Sequence, residues 1–299
     1  MNKAIDESTA RSARQAVHPG VKLADGTVLP ALGQGTWGMG EEASRRKQEI
    51  ASLRYGVERG MTLIDTAEMY AEGQAEAVVG EAIKGMRDQV FLVSKVYPHN
   101  AGQDRLQQSC EESLKRLGTD RLDLYLLHWR GSVPLAETVE GMENLVRQGK
   151  ILRWGVSNFD TEDMKELFDC EGGTRCATNQ VLYHLGSRGI EHDLLPWMRG
   201  QGMPAMAYSP LAQAGALRKG MTDNLTVRTL ARKYGATPLQ ILLAWVIKDE
   251  CMLAIPKASS TEHVAENAGA YEIQMSEEDI KTLDRAFPKP AWKVPLDVI

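Results

Sequence analysis

The chain has 299 residues, of which 43% are hydrophobic and 25% are charged. This is the composition of an ordinary globular protein, and it excludes the disordered, collagen-like and fibrous classes. The 35 basic and 40 acidic side chains give a formal net charge of −5, which disfavours a nucleic-acid partner because that role needs a basic face.

The first 20 residues are polar, and we predict that residues 1–20 form a flexible tail without a role. They lack the apolar stretch of a signal peptide, and no apolar run in the chain approaches the ~18 residues of a membrane helix. The four cysteines are too few and too scattered for a disulfide framework or a zinc site. We therefore predict a cytoplasmic protein with reduced thiols, no bound metal and no membrane partner.

From residue 21 to residue 299 no linker rich in Pro, Gly or Ser divides the chain, which predicts a single domain. This domain begins with two short apolar runs, Val21–Leu23 and Thr27–Leu29, on either side of Asp25-Gly26. Because Asp-Gly is a residue pair typical of tight turns, we predict an N-terminal β-hairpin.

After the hairpin, short apolar runs alternate with longer amphipathic patterns, beginning at Ala31–Gly33. The short runs lack period-two alternation, as is typical of parallel strands that are covered on both faces. The other predicted strands are Thr62–Asp65, Val90–Lys95, Leu122–His128, Ile151–Ser157, Ala177–Gln180, Met203–Tyr208 and Met252–Lys257. The predicted helices are Ser44–Arg59, Gln74–Ile83, Asp104–Leu117, Leu135–Gln148, Thr161–Phe168, Asn224–Tyr234, Pro238–Ile247 and a late helix that starts at Ser276.

Strand–helix alternation over eight units predicts an α/β protein with a parallel sheet, either open and doubly wound or closed into a barrel. An open dinucleotide-binding sheet normally carries G-x-G-x-x-G after its first strand. Here the sequence at Gly33–Gly38 begins as G-x-G, but its last glycine falls at the wrong spacing and no helix opens there. We therefore favour the (β/α)8 TIM barrel.

Nearly every predicted strand ends in a polar residue that can take part in chemistry. In a (β/α)8 barrel the carboxyl ends of all strands meet on one face, and that face carries the site. A single polar residue at the end of a strand usually contacts only solvent, so it is the number of such residues that predicts a site. The residues are Asp65, Lys95, His128, Ser157, Asn158, Gln180, Tyr208 and Lys257.

Asp65, Tyr70, Lys95 and His128 form a set suited to polarising a carbonyl group. A tyrosine hydroxyl has a pKa near ~10, and a neighbouring ammonium lowers it by favouring the phenolate. An aspartate holds that lysine charged, and a histidine can donate a hydrogen bond to a carbonyl oxygen. The set contains no evident pair of nucleophile and base, so a hydride must come from a cofactor.

These residues lie in motifs that resemble the aldo-keto reductase family. Gly60–Tyr70 (GMTLIDTAEMY) is similar to the family signature G-x-x-x-[IF]-D-T-A-x-x-Y. The resemblance runs from about residue 20 to about residue 285 and favours bacterial members of the methylglyoxal-reductase type. The remaining motifs, in family order, are Ser94–Tyr97, Leu122–Trp129, Gly155–Phe159, Asn179-Gln180, Ala207–Leu211, Ile255–Ser260 and Glu266-Asn267.

The resemblance implies an NADPH-dependent carbonyl reductase with Tyr70 as proton donor, Lys95 and Asp65 tuning it, and His128 orienting the carbonyl. It also implies that Tyr208 stacks under the nicotinamide and that Lys257 meets the 2′-phosphate. The implied cofactor-binding residues are Gly35, Thr36, Trp37, Asp65, Ser157, Asn158, Gln180, Tyr208, Ser209, Leu211, Gln213, Lys257, Ser259, His263, Glu266 and Asn267.

The segment expected to meet the 2′-phosphate departs from a common family pattern. Many NADP-dependent relatives have Lys-Ser-x-x-x-x-Arg there, whereas this chain has Lys257-Ala258 and then His263 at the arginine position. A lost charge-assisted hydrogen bond of ~1.5–3 kcal/mol can reduce the preference for NADP by more than about tenfold. Lys257, Ser259 and Ser260 can compensate, so we favour NADP and leave NAD open as a second cofactor.

The sequence says less about the residues that bind the substrate. We predict that an aromatic wall lines the substrate pocket, with ordinary packing of these side chains as the alternative. The residues follow catalytic strand ends and are Trp37, Tyr97 and Trp129. The tail Pro288–Ile299 is predicted to lie near the active-site face, where family tails often close over substrate, or to be a docked surface segment. A small-molecule carbonyl is the expected partner. Its identity, the direction of the reaction and the oligomeric state stay open, with a monomer as one possibility.

Two further hypotheses compete with the reductase. Lys95 could form a Schiff base with a carbonyl substrate, as in an aldolase, although this would leave the NADP-like segments unexplained. The chain could also be a non-catalytic NADP-binding sensor or auxiliary subunit. The presence of the complete catalytic set argues against that loss of activity.

Overall fold

Eight parallel strands form the central sheet, and they are paired in chain order from the first to the last. The structure, a computed structural model, describes residues 20–299 apart from the side chains at positions 103 and 104. The predicted tail at residues 1–20 therefore lies outside the described residues except for Gly20. The strands are β3 (Gln34–Gly35), β4 (Leu63–Asp65), β5 (Phe91–Val96), β6 (Leu124–Leu127), β7 (Trp154–Ser157), β8 (Asn179–Leu182), β9 (Ala205–Tyr208) and β10 (Met252–Ala254).

The sheet closes into a barrel because its first and last strands also pair. Parallel bridges join Leu32 to Ala254 and Gly35 to Lys257. The amide of Gly33 donates to the Ala254 carbonyl oxygen over 2.8 Å. Gly35 has no side chain to obstruct this closure, since a Cβ there would come within 2.7 Å of the Ile255 carbonyl oxygen. The predicted (β/α)8 barrel is confirmed.

Helices follow the strands and cover the outside of the barrel. Three of them begin with reciprocal capping boxes, which satisfy backbone amides that lack a helical partner: Asp160 with Asp163, Thr237 with Gln240 and Ser276 with Asp279. The helices are α1 (Arg46–Glu58), α2 (Gln74–Ile83), α3 (Gln103–Leu117), α4 (Leu135–Arg147), α5 (Thr161–Asp169), α6 (Leu194–Gly200), α7 (Ala216–Asp223), α8 (Leu225–Tyr234), α9 (Pro238–Val246), α10 (Thr261–Ala268) and α11 (Glu277–Ala286). No helix in residues 20–299 is long and apolar enough to span a membrane.

The predicted hairpin is present as β1 (Gly20–Lys22) paired antiparallel with β2 (Val28–Pro30). Gly26 adopts φ 90°, a left-handed conformation that glycine tolerates best. The turn is held by Arg153, whose Nε lies 2.5 Å from the Asp25 carboxylate. Because Arg153 directly precedes β7, the hairpin lies at the amino-terminal end of the barrel, opposite the strand ends that carry the predicted site.

Candidate active site

Asp65, Lys95 and Tyr70 meet at the carboxyl ends of β4 and β5. The Lys95 Nζ donates to Asp65 Oδ1 over 2.5 Å, to the Thr66 carbonyl oxygen over 2.8 Å and to Tyr70 Oη over 3.0 Å. Lys95 is 0% exposed and Asp65 is 2% exposed. Three of the residues predicted from the sequence therefore lie in contact, and the Lys95 ammonium donates to three different acceptors.

The buried ion pair keeps Lys95 charged. Burial disfavours the ammonium, but the Asp65 carboxylate and the Tyr70 hydroxyl outweigh it and hold the pKa of Lys95 above its ordinary value. Burial also raises the pKa of the Asp65 carboxyl, against the opposing effects of Lys95 and Gln180. A Schiff-base nucleophile must be a neutral amine, so this arrangement disfavours the aldolase hypothesis.

Tyr70 stands at the start of a tight turn, Tyr70–Gly73, that leads into α2. Burial is the largest influence on its hydroxyl, and it holds the pKa of Tyr70 above its ordinary value although Lys95 acts to lower it. The expected lowering by the ammonium is therefore present, but the expectation of a net lowering is wrong in this structure. A buried phenol loses the solvation of its charged form, which a sequence does not show.

Backbone strain concentrates at this face of the barrel. Among residues 20–299, the non-glycine residues with positive φ each lie beyond the carboxyl end of a barrel strand: Ala71, Glu72, Asn158, Ser209 and Ala212. Such conformations cost free energy and persist where the surrounding structure requires them, often at functional sites. The distribution therefore supports a site at the strand ends independently of the side-chain chemistry.

His128 lies directly beyond β6, with its ring edge-on to the ring of Tyr70 at a centroid distance of 5.7 Å. Its Nδ1 is buried and has no hydrogen-bond partner among the described residues. Burial and the nearby Lys95 lower the pKa of His128 to about 2. The imidazole is therefore neutral, so it can donate one hydrogen bond to a ligand without bringing a charge.

The neutral state of His128 predicts acid sensitivity of the fold. The pKa of His128 in the folded protein lies below the ~6.5 of an unfolded histidine. The contribution of the neutral imidazole to the unfolding free energy is therefore complete above pH ~6.5 and is lost as the pH falls below that value. We expect His128→Asn to reduce the loss of unfolding free energy between pH 7.5 and pH 5 by about 2 kcal/mol, measured by urea unfolding. An identical loss in both proteins would mean that His128 takes up its proton in the folded state.

Residues on β8 and at the ends of β7 and β9 continue the same network. Gln180 Nε2 donates to Asp65 Oδ2 over 2.8 Å, and Ser157 Oγ donates to the Gln180 carbonyl oxygen over 2.8 Å. Asn158 Nδ2 lies 3.2 Å from the His128 carbonyl oxygen, and Tyr208 Oη donates to Asn158 Oδ1 over 2.8 Å. These four sequence-predicted residues thus contact the predicted catalytic set or one another.

Thr36 joins this network from β3, whereas Trp37 does not. Thr36 is buried, and its Oγ1 donates to the Asp65 carbonyl oxygen over 2.9 Å. The side chain of Trp37 is 56% exposed. Tyr97 and Trp129 lie edge to face at 6.0 Å, and Trp129 also approaches His128 at 5.0 Å. Two of the three predicted aromatic residues are therefore adjacent.

The loop beyond β10 fits a phosphate group. Lys257 is exposed there, and the buried Oγ of Ser259 has no hydrogen-bond partner among the described residues. An ammonium and an unpaired hydroxyl are donors that phosphate oxygens accept. The other predicted residues on this side include buried Leu211 and Asn267, half-buried Ser209 and Glu266, and exposed Gln213 and His263.

Glu76, a carboxylate on α2 that supports β5 from behind, was not anticipated from the sequence. It is fully buried and accepts from Ser94 Oγ over 2.6 Å and from Arg116 Nε over 2.6 Å. Ser94 directly precedes Lys95, so this contact helps to fix the strand that presents the ammonium. The available signal was a charged residue on the apolar face of α2, which also contains Ala75, Val78 and Val79.

The C-terminal tail reaches the same face, as predicted. Asp297 accepts from Ser187 Oγ over 2.5 Å, and the Lys293 ammonium lies 2.7 Å from the Asp193 carboxylate. The backbone of Ile299 hydrogen-bonds to the hydroxyl of Tyr208. The tail is therefore docked beside the site by polar contacts at several points.

Comparisons with known proteins agree on one family. The model of the aldo/keto reductase family matches residues 31–287. Methylglyoxal reductase YeaE of Escherichia coli K12 is 58% identical over 279 residues, 93% of this chain and 98% of that protein. Glyoxal reductase of Bacillus subtilis is 32% identical over 267 residues, 88% of this chain and 91% of that protein. An aldo/keto reductase from Klebsiella pneumoniae, solved with NADP and acetate, has a TM-score of 0.92 at 56% identity and covers 95% of this chain and 100% of its own.

Proposed function

The chain belongs to the aldo/keto reductase family, and we propose that it reduces small dicarbonyl compounds such as methylglyoxal with NADPH, using Tyr70 as proton donor. As a member of that family it is an oxidoreductase that acts on carbonyl groups. The residue assignment rests on one observation, the contact of the Lys95 ammonium with both the Asp65 carboxylate and the Tyr70 hydroxyl.

The donors around the strand ends fit the cofactor. When bound, NADPH supplies the hydride for the carbonyl carbon. Ser157, Asn158 and Gln180 supply amide and hydroxyl groups for the nicotinamide carboxamide, and Tyr208 is assigned to the face of the ring. Lys257 and the unpaired hydroxyl of Ser259 are assigned to the 2′-phosphate. Use of NADP is supported by the Klebsiella pneumoniae protein, which was solved with it.

Tyr70 gives its proton to the carbonyl oxygen as negative charge develops there. Burial opposes formation of the phenolate, which keeps the hydroxyl protonated before the reaction. Once the proton has left, the Lys95 ammonium at 3.0 Å stabilises the phenolate. The neutral imidazole of His128 donates a hydrogen bond to the same oxygen and so fixes the orientation of the carbonyl.

The dicarbonyl class is supported by the relatives named methylglyoxal reductase and glyoxal reductase. The experiment is a panel of methylglyoxal, glyoxal, a bulky ketone and a sugar aldehyde, each assayed with NADPH and NADH in parallel. We expect the highest kcat/KM for methylglyoxal with NADPH. A higher value for the ketone or the sugar would contradict the substrate class, and NADPH binding without any turnover would favour the sensor hypothesis.

A substitution at His263 is expected to increase the preference for NADPH over NADH. It stands on α10 where many relatives carry an arginine, and its side chain is exposed. We expect His263→Arg to tighten binding of NADPH by about tenfold, because a charge-assisted hydrogen bond to phosphate is regained. Fluorescence titration with NADPH and NADH measures this. Equal tightening of both cofactors would show that position 263 does not approach the 2′-phosphate.

We also propose that residues 21–299 act as a single domain in the cytoplasm. The hairpin residues Val21, Leu23 and Leu29 belong to the same buried hydrophobic cluster as the barrel strands. The four cysteines are all free in the described part of the chain, as is usual for thiols in a reducing compartment.

A further inference from the structure

Glu68 lies in the short segment between β4 and the turn that carries Tyr70. It occupies a variable position of the family signature, in which Asp-Thr-Ala is followed by two unspecified residues and then the tyrosine. Its side chain is half-buried. The proton transfer proposed for Tyr70 gives Glu68 no part of its own.

Glu68 connects this segment to the strand that presents Lys95. Its backbone amide donates to the Lys95 carbonyl oxygen over 3.3 Å. Its carboxylate Oε1 accepts from the backbone amide of Tyr97 over 2.7 Å and from Asn100 Nδ2 over 3.2 Å. Tyr97 directly follows β5. Glu68 therefore joins the chain two residues before Tyr70 to Lys95 itself and to the chain two residues beyond Lys95.

The backbone beside Tyr70 is strained and has to be held by its surroundings. Ala71 and Glu72, which directly follow Tyr70, have φ of 48° and 53°. Such left-handed conformations cost free energy in non-glycine residues and persist only where the surrounding structure imposes them. The hydrogen bonds of Glu68 fix the other side of Tyr70, where the chain arrives from β4.

The contacts of Glu68 depend on an acceptor oxygen and do not require its charge. Both side-chain contacts come from neutral amides, and no cation forms an ion pair with this carboxylate in the described part of the chain. The amide oxygen of a glutamine accepts the same bonds, whereas a methionine of similar length offers only a weak acceptor. Substitutions at this position therefore separate the hydrogen bonds from the charge.

We propose that Glu68 is a positioning residue that holds the Tyr70 hydroxyl at the Lys95 ammonium for proton transfer. This inference rests on the proposed function, in which Tyr70 is the proton donor. A proton donor has to lie within hydrogen-bond reach of its acceptor, and a displacement of about 1 Å can slow a reaction by about 100-fold. Glu68 acts through Tyr70 and exchanges no proton with the substrate.

The test is a double-mutant cycle of Glu68 and Tyr70, followed by single-turnover NADPH oxidation with methylglyoxal. We expect E68M to slow the reaction by about tenfold or more without changing the Kd for NADPH, and E68Q to keep most of the wild-type rate. In the Y70F background E68M should cause no further loss, because the effects of two residues that act in one step are not additive.

D123L is the matched control. Asp123 accepts from the backbone amide of Leu92 over 2.8 Å, nearer the other end of β5, and also pairs with Arg87. The change therefore loosens the same strand away from Tyr70, and the folded variant should keep the wild-type rate. Thermal melting shows which variants are folded at the assay temperature. If E68M is unfolded there, E68D takes its place in the cycle, because it keeps the charge on a side chain one methylene shorter.

The positioning role would be overturned by a fully active E68M enzyme, or by an equal loss of rate from E68M in the Y70F background. E68Q as slow as E68M would assign the effect to the charge, and D123L as slow as E68M would assign it to any loosening of β5. Each of these results also overturns the proposal. A Y70F enzyme that kept its rate would instead refute the proton donor of the proposed function.

Discussion

Replacing Tyr70 with phenylalanine is expected to slow carbonyl reduction by about 100- to 10,000-fold, the usual contribution of a positioned proton donor. The change removes only the hydroxyl that lies 3.0 Å from Lys95 Nζ and leaves the ring beside His128. We therefore expect NADPH to bind with unchanged affinity. Single-turnover rates of NADPH oxidation with methylglyoxal, together with a fluorescence titration, measure the two effects separately.

Tyr55→Phe is the matched control for this change. Its hydroxyl contacts the exposed Arg59, directly after α1 and away from the carboxyl ends of the strands, so the variant should keep the wild-type rate. A Tyr70→Phe enzyme that retained most of its rate would contradict the proton-donor assignment. A loss of rate that accompanied an equal loss of NADPH affinity would show that the hydroxyl serves binding instead.

Lys95→Met is expected to damage both stability and rate. The substitution leaves the Asp65 carboxylate buried with Gln180 as its remaining side-chain partner. Breaking a buried ion pair by removing one member costs about 3–5 kcal/mol of unfolding free energy. The rate should fall as well, because the phenolate of Tyr70 loses the cation that stabilises it. Urea unfolding and NADPH oxidation measure the two losses.

The double variant Asp65→Asn with Lys95→Met tests the reason for that instability. It leaves no unpaired charge, so it should be more stable than Lys95→Met alone while remaining slow. If the double variant is as unstable as the single one, lost packing of the lysine stem is the cause and the unpaired charge is not. A fully active Lys95→Met enzyme would remove Lys95 from the mechanism.

The barrel was predictable because strand and helix patterns are local. The runs ending at Asp65, Lys95 and His128 lie on or beside observed strands. Gly149, directly after the predicted helix Leu135–Gln148, adopts a left-handed φ of 72°, as is typical of a glycine that ends a helix. Helices α6, α7 and α10 were not among the predicted helices. Each has only seven or eight residues, which is too short to be stable alone, so their formation depends on packing against neighbouring elements.

By itself, the sequence determined which residues lie at the strand ends, because the order of the strands and the polar residues that follow them can be read directly from the chain. Only the tertiary structure decided their electrostatic state, since burial depends on what surrounds a group in space. It shows that the pKa of Tyr70 is raised despite the adjacent ammonium, and that His128 is neutral.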